Sequence, residues 1–194
     1  MARPRGQHRA VFLDRDGTLN REIKYLYRPE DFAWVPGAPE AVRSLNEAGL
    51  LTIVVTNQAG VARGYFTEDD VHRLHAFMQE VLQKETGGHF DAFYYCPYHV
   101  EGVVEAYRRH SPDRKPGAGM FERALGEWSI DPARSFVVGD RNTDLEPGRR
   151  LGMTTLLVET GYGLQEKETT QADYVEKDIG AAVARILDLC ATTP

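Results

Sequence analysis

Apolar positions along the chain fall into two alternating patterns. Short, predominantly apolar runs occur at Ala10-Val11-Phe12-Leu13, Leu50 to Val55, Phe90 to Cys96, Ser135 to Val138 and Thr154 to Val158. Their shortness and β-branched or aromatic content predict buried parallel strands. Between them lie segments with helical spacing. Ala41, Val42, Leu45 and Ala48 share one face of a segment from Ala38 to Ala48, which Gly49 stops. Val71, Leu74, Met78, Val81 and Leu82 stripe a second helix, with Thr67 as its cap, Asp70 completing a capping box and Gly87-Gly88 as its end. Shorter helices are predicted for Gly119 to Trp128, for Leu145 to Leu151 with Pro147 near its start, and at the end through Val183, Ile186, Leu187 and Cys190. Tyr174-Val175 reads as a short edge strand. The alternation predicts an α/β fold, a doubly wound parallel sheet with helices on both faces. Sites in such folds form at the carboxyl ends of the strands.

Composition narrows the possibilities. The 194 residues suit a single domain over 1–194, with 1–8 a loose tail and 97–116 a long loop without periodicity. Twenty-three basic against 29 acidic residues give a net charge of −6. That argues against a general nucleic-acid or membrane-surface binder, because polyanions need a basic field. The apolar run after Arg3, Arg5 and Arg9 is only Val11-Phe12-Leu13, too short for the roughly 7–15 apolar residues of a secretory signal. The two cysteines, Cys96 and Cys190, make no disulfide framework, and a cytoplasmic location is expected. Oligomeric state is not legible; a monomer is the working expectation.

Four polar clusters fall at or just beyond predicted strand ends. In Asp14-Arg15-Asp16-Gly17-Thr18, residues two apart share a face, so Asp14 and Asp16 point together and Arg15 elsewhere. Two such carboxylates can divide nucleophilic and acid–base work. Thr56-Asn57 offers a hydroxyl, an amide and N–H groups for phosphate oxygens. Arg114-Lys115-Pro116 offers a fixed cation to neutralise developing charge. Gly139-Asp140-Arg141-Asn142-Thr143-Asp144 offers a carboxylate for an oxygen-rich Mg2+ site. Each cluster alone also fits a cap, turn or solvated surface. Their joint order is far more specific.

These four elements, in order, resemble the motifs of the haloacid dehalogenase superfamily of phosphatases, over nearly the whole chain. The resemblance implies a Rossmann-like core in which Asp14 forms an aspartyl-phosphate and Asp16 serves as acid and then base. It implies Mg2+ on a carboxylate oxygen of Asp14, the carbonyl of Asp16 and a carboxylate oxygen of Asp140, with Asp144 supporting the metal shell or Lys115. Thr56, Asn57 and Lys115 would hold phosphate oxygens. The short intervals after Asp16 and after Cys96 leave no space for a cap domain, so a capless enzyme is expected.

Within the superfamily, Phe12 to Thr18, Val55 to Gly64, Tyr94-Tyr95-Cys96-Pro97, Arg114-Lys115-Pro116 and Gly139-Asp140 look like the heptose bisphosphate phosphatases. Histidinol-phosphate phosphatases share much of the pattern and are the nearest rival. A 3′-phosphatase on nucleic-acid ends and a non-catalytic phosphate-binding module are more distant alternatives. The likeness implies a phosphorylated sugar as substrate, contacted by Glu22, Ile23, Lys24, Tyr25, Gln58, Ala59, Arg63 and Arg114. Of these, Arg114 is best suited to a second phosphate. Relatives staple the long loop with zinc through Cys-x-His and Cys-x-Cys pairs. Here those positions read Cys96-Pro97-Tyr98 and Ser111-Pro112-Asp113. Zinc is therefore expected to be absent, although Cys96, His99, His110 and Asp113 are legitimate ligand types.

Overall fold

A computed structural model describes residues 8–192. Six parallel strands form one sheet: β1 (Ala10–Leu13), β2 (Leu51–Asn57), β3 (Ala92–Cys96), β4 (Phe136–Gly139), β5 (Thr154–Val158) and β6 (Tyr174–Glu176), in the order β3-β2-β1-β4-β5-β6. Six helices connect or follow them: α1 (Ala38–Glu47), α2 (Glu68–Thr86), α3 (Gly119–Glu127), α4 (Asn142–Arg150), α5 (Gly163–Glu166) and α6 (Ile179–Thr192).

The runs are predominantly apolar because both sheet faces are covered. Val11, Leu13, Val54, Val138, Leu156 and Val158 pack with Leu45 of α1, Leu74 and Met78 of α2 and Ile186 of α6. Residues of opposite parity, Ala10, Phe12, Ile53, Val55, Val137 and Leu157, pack with Phe121 of α3 and Leu145 of α4. The doubly wound sheet is thus as expected. Before α1 the chain between β1 and β2 forms only loops and a 3-10 turn at Pro29–Asp31, and the β3–α3 interval holds only loops and a turn at Glu105–Tyr107. Neither contains a cap.

The expected tail lies outside the described residues except for His8, which bridges to Ile130. The helix expected from Leu145 starts three residues earlier, because the Asp144 carboxylate accepts the Arg141 N–H at 3.0 Å and closes the first turn ahead of Pro147. The brief α5 has one buried residue and no readable periodicity.

The long loop is tied to the body. Tyr107 donates to Glu68 of α2 at 2.7 Å, and Val103 and Val104 N–H groups both donate to the Ala62 carbonyl. The Arg109 guanidinium sits 3.9 Å from the centre of the Tyr98 ring.

Candidate active site

Strand order decides where the motifs meet. The chain steps outward from β1 to β3, then returns to β4 beside β1. The carboxyl ends of β1 and β4 are therefore neighbours at a topological switch point. Asp14 leaves β1 there and Asp140 leaves β4, above a cavity of about 530 Å3.

Three carboxylates, those of Asp14, Asp140 and Asp144, are buried with oxygens within 4.8 Å of one another. Lys115, also buried, joins Asp14 at 2.5 Å and Asp144 at 2.8 Å. Burial alone would push the Lys115 ammonium down, but Asp14 and Asp144 outweigh it and hold it above the ordinary lysine range. Burial, then Asp144, raises the Asp14 carboxyl well above its usual value, with Lys115 opposing. Asp140 is pushed up to about 7 by burial and Asp144.

With all three carboxylates ionised, the one ammonium leaves two uncompensated negative charges, the repulsion that, after burial, lifts Asp14 and Asp140. Asp140 Oδ1 is buried without a hydrogen-bond partner, while Oδ2 accepts the Tyr162 N–H at 2.8 Å. A Cβ on Gly17 or Gly161, both at positive φ, would stand 2.3 or 2.0 Å from Asp140 Oδ2, so only glycines admit this carboxylate. An all-oxygen donor set with a charge deficit of two fits a hard divalent cation such as Mg2+.

Most of the expected residues are brought together. Asp14, Asp16, Glu22, Lys24, Tyr25, Thr56, Asn57, Gln58, Ala59, Arg63, Arg114, Lys115, Asp140 and Asp144 all line the cavity. Lys24 and Tyr25 adopt φ of 51° and 55°, a costly pair of left-handed residues that turns this loop over the rim. Arg63 Nε and Arg114 Nη1 are buried without partners. Burial, and the like charge of Arg63, lower the Arg114 pKa. Two guanidinium groups so placed suit an anion.

Some placements correct the expectations. Ile23 is 48% exposed and does not line the cavity. Asn57 reaches the cavity wall, but its amide is spent on the Lys115 backbone: Nδ2 donates to the carbonyl at 3.1 Å and Oδ1 accepts the N–H at 3.0 Å. It therefore positions Lys115. Among the described residues, Cys96, His99, His110 and Asp113 do not gather into a three-ligand group. Cys96 is buried, His99 lines the cavity, His110 is exposed and Asp113 pairs with Arg123 at 3.6 Å.

Sequence reasoning missed Gly60, Arg141, Thr143 and Tyr162 on the walls. Arg141 stacks 3.6 Å from the centre of the Tyr162 ring. Its place beside Asp140 was a usable signal; Tyr162, 22 residues beyond Asp140, had none. Arg15 was expected to point elsewhere. It does avoid the cavity, yet its guanidinium curls onto Asp16 at 2.9 Å.

Comparison with known proteins converges on one group. A family model described as HAD-hydrolase-like matches residues 113–182. The D-glycero-D-manno-heptose-1,7-bisphosphate 7-phosphatase of Thermosynechococcus vestitus is 42% identical over 182 residues, covering 90% of this chain and 93% of that protein. The D-glycero-beta-D-manno-heptose-1,7-bisphosphate 7-phosphatase of Haemophilus ducreyi is 42% identical over 168 residues, covering 86% and 92%. Among solved structures, the D,D-heptose 1,7-bisphosphate phosphatase of B. bronchiseptica, complexed with magnesium and phosphate, matches with a TM-score of 0.82 at 28% identity, covering 93% of this chain and 99% of that one.

Proposed function

The chain belongs to the haloacid dehalogenase-like hydrolases, in the group of the heptose bisphosphate phosphatases, and from that premise we propose that it removes the 7-phosphate of D-glycero-D-manno-heptose 1,7-bisphosphate through an aspartyl-phosphate on Asp14. The observation that carries this reading is the buried Asp14–Lys115–Asp144 arrangement beside Asp140, open to a cavity walled by Arg114 and Arg63, whose Nη1 and Nε respectively are buried without partners while Arg63 Nη2 pairs with Glu101 at 3.4 Å.

The Asp14 carboxylate attacks phosphorus while the bond from phosphorus to the sugar oxygen breaks. Asp16 gives its proton to that oxygen. Water then attacks the aspartyl-phosphate, Asp16 takes the water proton, and the bond to Asp14 breaks to release phosphate. Attack of a carboxylate on a phosphate dianion meets like-charge repulsion, which Lys115 reduces at the nucleophile itself. Thr56 and the backbone N–H groups after β2 face phosphate oxygens. Mg2+, held by Asp14, Asp140 and the Asp16 carbonyl, would supply the remaining charge neutralisation. Arg114 and Arg63 receive the substrate's second phosphate, and Glu22 accepts sugar hydroxyls.

Turnover of purified protein with Mg2+ tests the assignment. Heptose 1,7-bisphosphate is cleaved more efficiently than histidinol phosphate, and a reversed preference would reject the substrate. Asp14→Asn abolishes turnover on both while leaving the circular dichroism spectrum unchanged; retained activity would reject the mechanism.

A further inference from the structure

We propose that Arg15 is the positioning residue for Asp16, and that His75 of α2 holds Arg15 in place, so that a buried His75–Arg15–Asp16 chain aims the proton-transferring carboxylate into the cavity. The inference rests on the phosphatase reading above.

Among the described residues Arg15 is the largest side chain with essentially no exposed surface. A buried guanidinium is costly unless its donors are met. Here each of its three nitrogens has a partner, and two of them share one neighbour. Nε donates to Asp16 Oδ1 at 3.2 Å, and Nη2 reaches Asp16 Oδ1 at 3.0 Å and Oδ2 at 2.9 Å. Nη2 also donates to the Leu26 carbonyl at 3.1 Å, and Nη1 faces His75 Nε2 at 3.5 Å. Two amides complete the shell around Asp16: Asn20 Nδ2 at 3.0 Å on Oδ1 and Gln58 Nε2 at 3.1 Å on Oδ2. The same Gln58 nitrogen donates to Thr56 Oγ1 at 2.8 Å, joining this shell to the phosphate-binding strand end.

An aspartate at the mouth of a cavity would otherwise turn freely about two side-chain bonds. The planar fork of an arginine removes that freedom; a lysine ammonium, a point charge, does not. His75 anchors the fork from behind. Its ring stacks on Phe93 of β3, centroids 4.5 Å apart at 18°, and meets Tyr95 edge-on at 5.9 Å. Facing a guanidinium, Nε2 must be the acceptor, with the proton on Nδ1. Burial, and then the charge of Arg15, push this imidazole well below its ordinary range, which keeps it in that neutral form. Neither Arg15 nor His75 lines the cavity, so both act through Asp16.

Leaving-group dependence separates positioning from packing. A sugar alkoxide needs the Asp16 proton to depart, whereas p-nitrophenolate leaves without one, and kcat/KM reports the step that forms the aspartyl-phosphate. Arg15→Met is expected to lower kcat/KM for heptose 1,7-bisphosphate about 30- to 100-fold and for p-nitrophenyl phosphate less than about threefold. Arg15→Lys recovers only part of the loss. In an Asp16→Asn background, Arg15→Met leaves the ratio of the two substrates unchanged. His75→Phe, which keeps the stack but removes the acceptor, shifts the ratio the same way by a smaller factor, and His75→Gln restores it; this pair decides the matter if Arg15→Met does not fold. Equal losses on both substrates in Arg15→Met, or in His75→Phe where that variant stands in for it, would overturn the proposal. Failure of the underlying reading is distinguishable, since Asp14→Asn would then retain turnover.

Discussion

At Lys115 a single ammonium answers two buried carboxylates, and its own backbone is clamped by the Asn57 amide. Removing the charge leaves Asp14, Asp140 and Asp144 together without a resident cation. Lys115→Met should therefore lower kcat by about 10²–10³-fold. It should also destabilise the metal-free protein by about 3–5 kcal/mol, the usual result of breaking a buried pair, measured by urea unfolding. Mg2+ should recover part of that stability and little of the rate. On the proposed reading Arg114 binds the second phosphate and not the reacting one. Arg114→Ala should raise KM for the bisphosphate about 10- to 100-fold with little change in kcat, and should leave KM for p-nitrophenyl phosphate unchanged; parallel losses on both would remove Arg114 from second-phosphate recognition.

Among the elements, α2 does two jobs with its first turn. Thr67 and Asp70 exchange bonds as a capping box, and Glu68 accepts hydroxyls from Tyr95 at 2.5 Å and from Tyr107 at 2.7 Å. The second bond ties the loop after β3 to the body of the molecule. Tyr107→Phe should therefore raise amide exchange through residues 99–108 about fivefold to tenfold, corresponding to roughly 1 kcal/mol for one partly exposed bond to a charged acceptor, while β2 exchange stays constant. A zinc-selective chelator should leave exchange in this loop unchanged, because tyrosine, arginine and backbone contacts hold it. Chelator-sensitive exchange would instead mean that the loop finds metal ligands.

For the molecule as a whole, His75 couples the site's architecture to folding. Its folded pKa is depressed by burial and by Arg15, while the unfolded chain takes up the proton near 6.5. Below that value the unfolded state binds more protons, so stability is lost as pH falls through 6.5 and is fully present above it. With Mg2+ saturating, wild type should lose up to about 1.4 kcal/mol more than His75→Gln for each pH unit below 6.5, read from urea titrations. Parallel curves would mean that His75 protonates freely in the folded state. Strand order acts at the same scale. Asp14 and Lys115 lie 101 residues apart, and only the return of β4 to the side of β1 sets Asp140 beside them.

The five apolar runs and the chain positions of the polar clusters that line the cavity were legible from residues alone. A strand buried on both faces is largely apolar, and polar chemistry in such a sheet gathers at or just before its carboxyl end, as at Asp14, Thr56 and Asp140. Periodicity also located α1, α2 and α6, whose apolar stripes face a core. What only the tertiary structure decided are the pairings: Arg15 on Asp16 with His75 behind it, the Asn57 amide on the Lys115 backbone, Gly17 and Gly161 around Asp140, and Arg141 on Tyr162. Arg15 shows why even neighbours escape local rules. Strand alternation placed Arg15 off the cavity wall, as it is, but its long side chain, buried beside Leu26, His75 and Asp16, satisfies its donors by folding back. Side-chain direction follows from hydrogen-bond satisfaction in a packed interior, and that depends on residues up to 60 positions away.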